Sequence, residues 1–192
     1  MTAKDTRTQI LDTAQELIQR VGLNAMSYAD ISTAVGIRKA SIHYHFPSKD
    51  DLVIALLDRF SSYFFRLFDV ILDSPESPEI KLRRYCDLFI ATLSSGNQDK
   101  ACLYGMLGAE LKTLNSSSNE QVLKFYRDNQ TRLVQLLQQG RETGEFKFPG
   151  QVESMAMVIF SMLEGGILVT RADGGVAQFR EMVEQLIQVV KG

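Results

Sequence analysis

An all-α fold follows from three features of the sequence. Apolar residues recur at helical spacing along most of the chain, capping residues and glycines punctuate those runs, and no segment is a convincing strand. With 192 residues, 45% of them apolar, the chain can bury a substantial core. The pattern divides it into a short three-helix part, residues 1–48, and a larger helical part, residues 49–192, with about nine helices in all.

Thr6 and Gln9 have the spacing of a capping box, and Ile10, Leu11, Ala14, Leu17, Ile18 and Val21 then fall on one helical face before Gly22. Ser27 and Asp30 repeat the capping signal for a second helix, in which Ala29, Ile31, Ala34 and Val35 are small or apolar enough to pack on the first. Gly36 supplies a turn. The third helix, about Arg38 to His45, is too short to stand alone and must be held by Ile37, Ile42 and Phe46. Pro47 breaks the pattern, Ser48 caps a long helix, and Asp50 and Asp51 suit its positive end. That helix reaches about Leu72 with an apolar stripe through Leu52, Leu56, Phe60, Phe64 and Phe68. Ser77-Pro78-Glu79 reads as cap, first-turn proline and acid. Further helices are expected at about 79–95, 101–114, 119–143, 151–171 and 176–190, with the Asn115-to-Asn119 run as a flexible connection.

Composition narrows the functional classes. The polar N-terminus carries no evident signal peptide, and no stretch approaches the roughly 20 apolar residues that span a bilayer. Two cysteines, Cys86 and Cys102, make no disulfide scaffold, and a cytoplasmic location without a membrane partner is the simplest expectation. The net charge of −2 argues against general coating of nucleic acid. Locally the balance reverses: Arg38, Lys39 and Lys49 are the charges between Gly36 and Lys49, with no acid among them. The two histidines, His43 and His45, have no cysteine or carboxylate cluster around them, so no metal is expected. Gly-x-Ser-x-Gly, a phosphate-binding glycine loop and metal-spaced ligands are all missing, so neither an enzyme nor a cofactor is expected.

Two short helices joined by a glycine turn form a helix-turn-helix, whose second helix enters the DNA major groove. Phosphate contacts would set the pose and base edges the preference. Lys49, Tyr44, Ser27 and Tyr28 have the chemistry and position for phosphate oxygens. Arg38, Lys39, Ser41 and His43 are the candidates for base edges, and Ala40 is small enough for close approach or for a thymine methyl. His45, beside Phe46, is a candidate for DNA or for packing.

Residues 6–55 resemble the N-terminal domain of the TetR (tetracycline-repressor-like) transcription regulators. The likeness is carried by Ile10-Leu11, Ala14, Gly22-Leu23, Ile31, Ala34 and Val35-Gly36-Ile37, and most densely by Lys39-Ala-Ser-Ile-His-Tyr-His-Phe-Pro-Ser-Lys49. The chain departs from the family at His43, where tyrosine is usual. The resemblance implies a homodimer on a palindromic operator, released by a small-molecule effector.

The larger part would then sense and dimerise. Residues 152–169 are apolar on nearly every face, and a helix of that kind must be covered on all sides. Met155, Ile159, Met162 and Gly166, with Phe179, Val183, Leu186 and Ile187 of the last helix, suggest a four-helix bundle between two subunits, as the resemblance also implies. The resemblance further implies an effector cavity, for which Phe60, Phe64, Phe89, Cys102, Leu103, Met106, Leu107, Tyr126 and Phe160 are candidates. An apolar lining favours a hydrophobic effector. Glu110 and Glu164 could give that cavity polar selectivity, but they are read first as surface or salt-bridge residues. Cys102, two residues after Lys100 and near an expected helix start, has features of a reactive thiolate, and its surroundings resemble a TetR subgroup in which some members sense electrophiles or oxidants. A thiol-based sensor is therefore one alternative, and a helical ligand-binding or adaptor protein without DNA binding is another.

Overall fold

The computed structural model describes residues 5–93, 99–173 and 175–192. Among the described residues are nine α-helices and one 3-10 turn, with no strand. The α-helices are α1 (Thr6–Val21), α2 (Tyr28–Val35), α3 (Lys39–His45), α4 (Lys49–Leu72), α5 (Pro78–Leu93), α6 (Leu103–Ala109), α7 (Ser116–Glu142), α8 (Val152–Asp173) and α9 (Val176–Lys191). They form two compact units: Met1–Ser61 with Leu103–Lys124, and Ser62–Cys102 with Phe125–Gly192.

In the first unit α1, α2 and α3 pack on one another, and α6 packs on α1. Ile10, Leu11, Ala14 and Ile18 of α1, Ile31 of α2, and Ile42 and Phe46 around α3 are buried. Ile42 and Phe46 thus do what the sequence requires: they anchor a helix too short to persist alone. Gly36 ends α2 in the left-handed region at φ 76°, where a side chain is strained. The cap of α1 differs from the expected one. Asp5 is the N-cap and accepts from the Thr8 amide, while Thr6 is already helical. Ser27 and Asp30 form the full capping box on α2. Ser48 and Asp51 exchange equivalent bonds at the start of α4.

In the second unit α5, α8 and α9 pack on one another. Gly166 is buried where a Cβ would come within 2.1 Å of Met182 Cε and 3.0 Å of the Phe179 ring, so this glycine allows α8 to approach α9 of its own chain. Lys81 is buried because its ammonium donates to the Leu72 carbonyl at 2.7 Å and to Gln139 Oε1 at 3.2 Å.

Two expectations need correction. The Asn115-to-Asn119 run is mostly the first turn of α7, because the Asn115 side chain accepts from the Ser118 amide at 2.7 Å and caps the helix. Val152–Ala172, with a mean hydropathy of 1.7, is long and apolar enough by composition to cross a membrane, although no such stretch was expected. Glu153, Glu164 and Arg171 interrupt its apolar run, so no unbroken stretch of 20 apolar residues is present. The end of the helix expected at 79–95 lies outside the described residues.

Candidate nucleic-acid interface and sensing core

The outward face of α3 is built by burying Ile42 and Phe46 behind it. This leaves Arg38, Lys39, Ala40, His43 and Tyr44 exposed, Tyr44 at 84%. Two open depressions flank the helix. One is lined by Ser27, Tyr28, Lys39, His43 and Lys49, the other by Arg38, Ala40, Ser41, Tyr44 and His45. His43 holds the Pro47 carbonyl through Nδ1 at 3.2 Å. A carbonyl only accepts, so Nδ1 carries the proton and neutral His43 keeps Nε2 as an outward acceptor.

Several polar side chains of this face are committed to the protein's own backbone. The Tyr28 hydroxyl lies 2.6 Å from the Ser48 carbonyl and 3.0 Å from that of Phe46, and its ring meets His43 at 4.9 Å. Burial, then the charges of Asp51 and Asp50, push its phenol up to about 12, so it stays a neutral donor. Lys49 Nζ donates to the Leu23 and Met26 carbonyls, both at 2.6 Å, and ties the α1–α2 loop to the start of α4. Ser27 holds the Asp30 carboxyl below the usual carboxylate range through hydroxyl and backbone bonds, with the Lys39 charge adding a smaller part.

The same loop is held from a second side. Glu110, just after α6, accepts from the Leu23 amide at 2.8 Å and from the Asn24 amide at 3.3 Å. Gly22 lies beneath it at φ 87°, where a Cβ would sit 2.7 Å from Glu110 Oε1.

The second unit contains a cluster of rings. Phe64 packs edge-on to Phe68, Tyr85 and Phe89, and Phe89 meets Phe160 at 6.3 Å. Phe160 meets Tyr126 at 5.6 Å. Edge-to-face packing of this kind fills a core with little strain. Its buried polar groups are few. Tyr85 and Asn129 bond to each other at 3.0–3.2 Å. The Glu164 carboxyl takes a hydrogen bond from the Cys102 thiol and is pushed up to about 7 by burial. Cys86 is also buried, which pushes its thiol up to about 12 and leaves it inert.

Residues 10–56 match the bacterial regulatory proteins of the tetR family, and residues 78–186 match the tetracyclin repressor-like C-terminal domain. The chain is a TetR-family transcriptional regulator. A crystal structure of a TetR transcriptional regulator from Legionella pneumophila is 32% identical, with a TM-score of 0.86 and 100% of each chain covered. A TetR-family regulator from Agrobacterium tumefaciens is 29% identical, with a TM-score of 0.91 over 97% of each chain. The HTH-type transcriptional repressor NemR of Escherichia coli strain K12 is 24% identical over 168 residues, 87% of this chain and 84% of that one. The family consists of ligand-responsive transcriptional regulators rather than enzymes, and its N-terminal helix-turn-helix domain is the one described above.

In this TetR-family fold the ten residues expected at DNA lie together on and around α3. The effector candidates fall in both units. Phe60, Leu103, Met106 and Leu107 belong to the first, where Phe60 meets the Tyr104 ring at 5.6 Å. Phe64, Phe89, Cys102, Tyr126 and Phe160 belong to the second. Of the residues expected between subunits, Ile159, Gly166, Phe179, Val183, Leu186 and Ile187 are buried within the chain itself, and Met155 and Met162 are half-buried. The apolar side chains left exposed on α8 and α9 are Met157, Val158, Leu168, Val169 and Val189.

Sequence reasoning misjudged the two carboxylates. Glu110 is a cap for backbone amides, and Glu164 is half-buried with its Oε1 fully enclosed and, among the described residues, no salt bridge. The signal for Glu164 was available: it is the one charged residue between Ser154 and Thr170 of a helix apolar on nearly every face.

Proposed function

We propose that this TetR-family regulator is a homodimeric repressor, acting in the cytoplasm, that grips a palindromic operator with two copies of α3 and releases it when a small molecule enters the helical part. The functional division runs 1–48 for reading and 49–192 for sensing and dimerising. The observation that carries the reading is the face of α3, where Arg38, Lys39, Ala40, His43 and Tyr44 are exposed together without an acid on the helix. Arg38 and Lys39 favour guanine edges, and His43 offers Nε2 as an acceptor to a base amino group. Tyr44 takes a phosphate oxygen. Lys49 has a third N–H for a phosphate beyond its two loop carbonyls, and Tyr28 and Ser27 set the pose. A single reading helix spans about one half-site, and dimers gain affinity from two half-sites about one helical turn apart. The exposed Val158, Leu168 and Val169 of α8 and Val189 of α9 supply the subunit face. Release is a population shift, typically about 1–3 kcal/mol of coupling between effector and operator.

Genomic DNA selection with the purified protein tests this reading, run with and without diamide or N-ethylmaleimide. An enriched palindrome supports it, and no enriched sequence overturns it. A palindrome lost on thiol treatment but retained in Cys102→Ser would transfer the switch to that cysteine. A palindrome indifferent to both reagents leaves a non-covalent effector as the signal.

A further inference from the structure

Glu164 lies on α8, whose buried side chains are apolar apart from Thr170, and the Thr170 hydroxyl donates to the Gly166 carbonyl of its own helix. Its Oε1 is buried and has no hydrogen-bond partner. An acceptor left in this state costs about 1–3 kcal/mol, and more when it is charged. No ion pair among the described residues neutralises it, and its carboxyl takes a hydrogen bond from the Cys102 thiol. The aromatic cluster begins one helical turn away: the Phe160 ring, between Phe89 and Tyr126, precedes Glu164 by four residues. Tyr85 feels the charge of Glu164 and of Cys102, so the phenol, thiol and carboxyl belong to one neighbourhood. Cys86 also acts on Tyr85.

An ionised carboxylate only accepts, and a buried one calls for donors that carry positive charge. Aromatic faces attract cations as well, by about 0.5–2 kcal/mol. We propose that Glu164 is the polar anchor of the effector site, and that the effector is an ammonium-bearing molecule with an apolar or aromatic body. Its N–H groups donate to Glu164 Oε1, and its body lies against Phe89, Tyr126 and Phe160. The proposal rests on the effector-responsive reading and gives it a ligand class. The carboxyl titrates near neutrality, so an arriving cation holds it in the charged form at little cost.

The test uses the full-length protein and a graded series of arylalkylammonium ions, each with its matched alcohol and carboxylate. Binding is read by calorimetry, and retention of the selected operator is read in the same samples. The ammonium probes are expected to bind about ten- to a hundredfold more tightly than the matched alcohols, and the carboxylates not to bind. Glu164→Gln should erase the preference for ammonium while leaving alcohol binding in place, which also reports that the variant is folded. Equal binding of ammonium and alcohol, tighter binding of the carboxylates, or an unchanged preference in Glu164→Gln overturns the proposal. If no probe binds while the operator is still retained, this proposal falls and the regulator reading stands. If no operator is retained in any sample, the regulator reading itself fails.

Discussion

In the first unit, polar side chains are turned onto the protein's own backbone. Lys49 holds the α1–α2 loop by its carbonyls and Glu110 holds it by its amides, and Tyr28 holds the turn before α4. In the second unit, rings fill the interior, Tyr85 and Asn129 satisfy each other, and one Glu164 oxygen is left without a donor. The contrast separates two ways of preparing a surface for a partner. A reading head must present a fixed shape, and these bonds fix the loop and the turn behind α3, although Ser118 Oγ and Gln121 Oε1 elsewhere in the same unit are also buried without a partner. A sensor must respond, so it keeps a buried demand that a small molecule can meet.

The largest expected effect tests whether the second unit works as half of a pair. Leu168→Glu with Val169→Glu would place unpaired charge in the proposed subunit face, at about 3 kcal/mol or more. Sedimentation should show protomers, and operator affinity should fall more than about a hundredfold. A variant that remains dimeric moves the interface away from this surface. Next, Arg38→Ala should cost about 1–3 kcal/mol and relax preference at one base position per half-site. Uniform weakening across operator variants would make Arg38 a phosphate contact instead.

Lys49→Met separates fixed shape from charge. Loss of two donors to loop carbonyls should lower stability by about 1–3 kcal/mol, which is several degrees of Tm for a chain of this size. DNA binding should weaken on all sequences alike, with a shallower salt dependence. An unchanged Tm with weakened binding would assign Lys49 to phosphate alone.

The smallest expected effect concerns pH in the second unit. Burial raises the Glu164 carboxyl from about 4.5 to about 7, so the folded state holds this proton more tightly than the unfolded chain does. The stability linked to it is complete below about 4.5 and is lost as pH rises through about 7. Glu164→Gln cannot lose a proton, so its Tm advantage over the parent should grow by a few degrees from acid to mildly alkaline conditions. A constant difference across that range would mean the carboxyl is solvated.

Much of the fold was legible because it is local. Helical periodicity, the Ser27–Asp30 box and the Gly36 turn operate within a few residues, and the Lys39-to-Lys49 run placed the reading helix correctly. The misses share a different cause. Glu110 meets Leu23 across 87 positions, and Lys49 meets the same residue's carbonyl across 26, so neither bond leaves a spacing signal. On α8 and α9 the hydrophobic pattern announced burial without saying what would cover it. Ile159 and Phe179 are covered by the chain, whereas Val158 and Val169 are left open. Asn115 was read from its company of serines as a linker, when its own side chain starts a helix.

The apolar character of α8 also bears on how the chain is made. Val152–Ala172 emerges from the ribosome as a segment that membrane-insertion machinery would weigh as a possible span. Glu164 sits near its middle, and an acidic residue at the centre of a bilayer costs about 3 kcal/mol to insert. The carboxylate that burdens the folded interior therefore also makes insertion of the newborn helix less favourable.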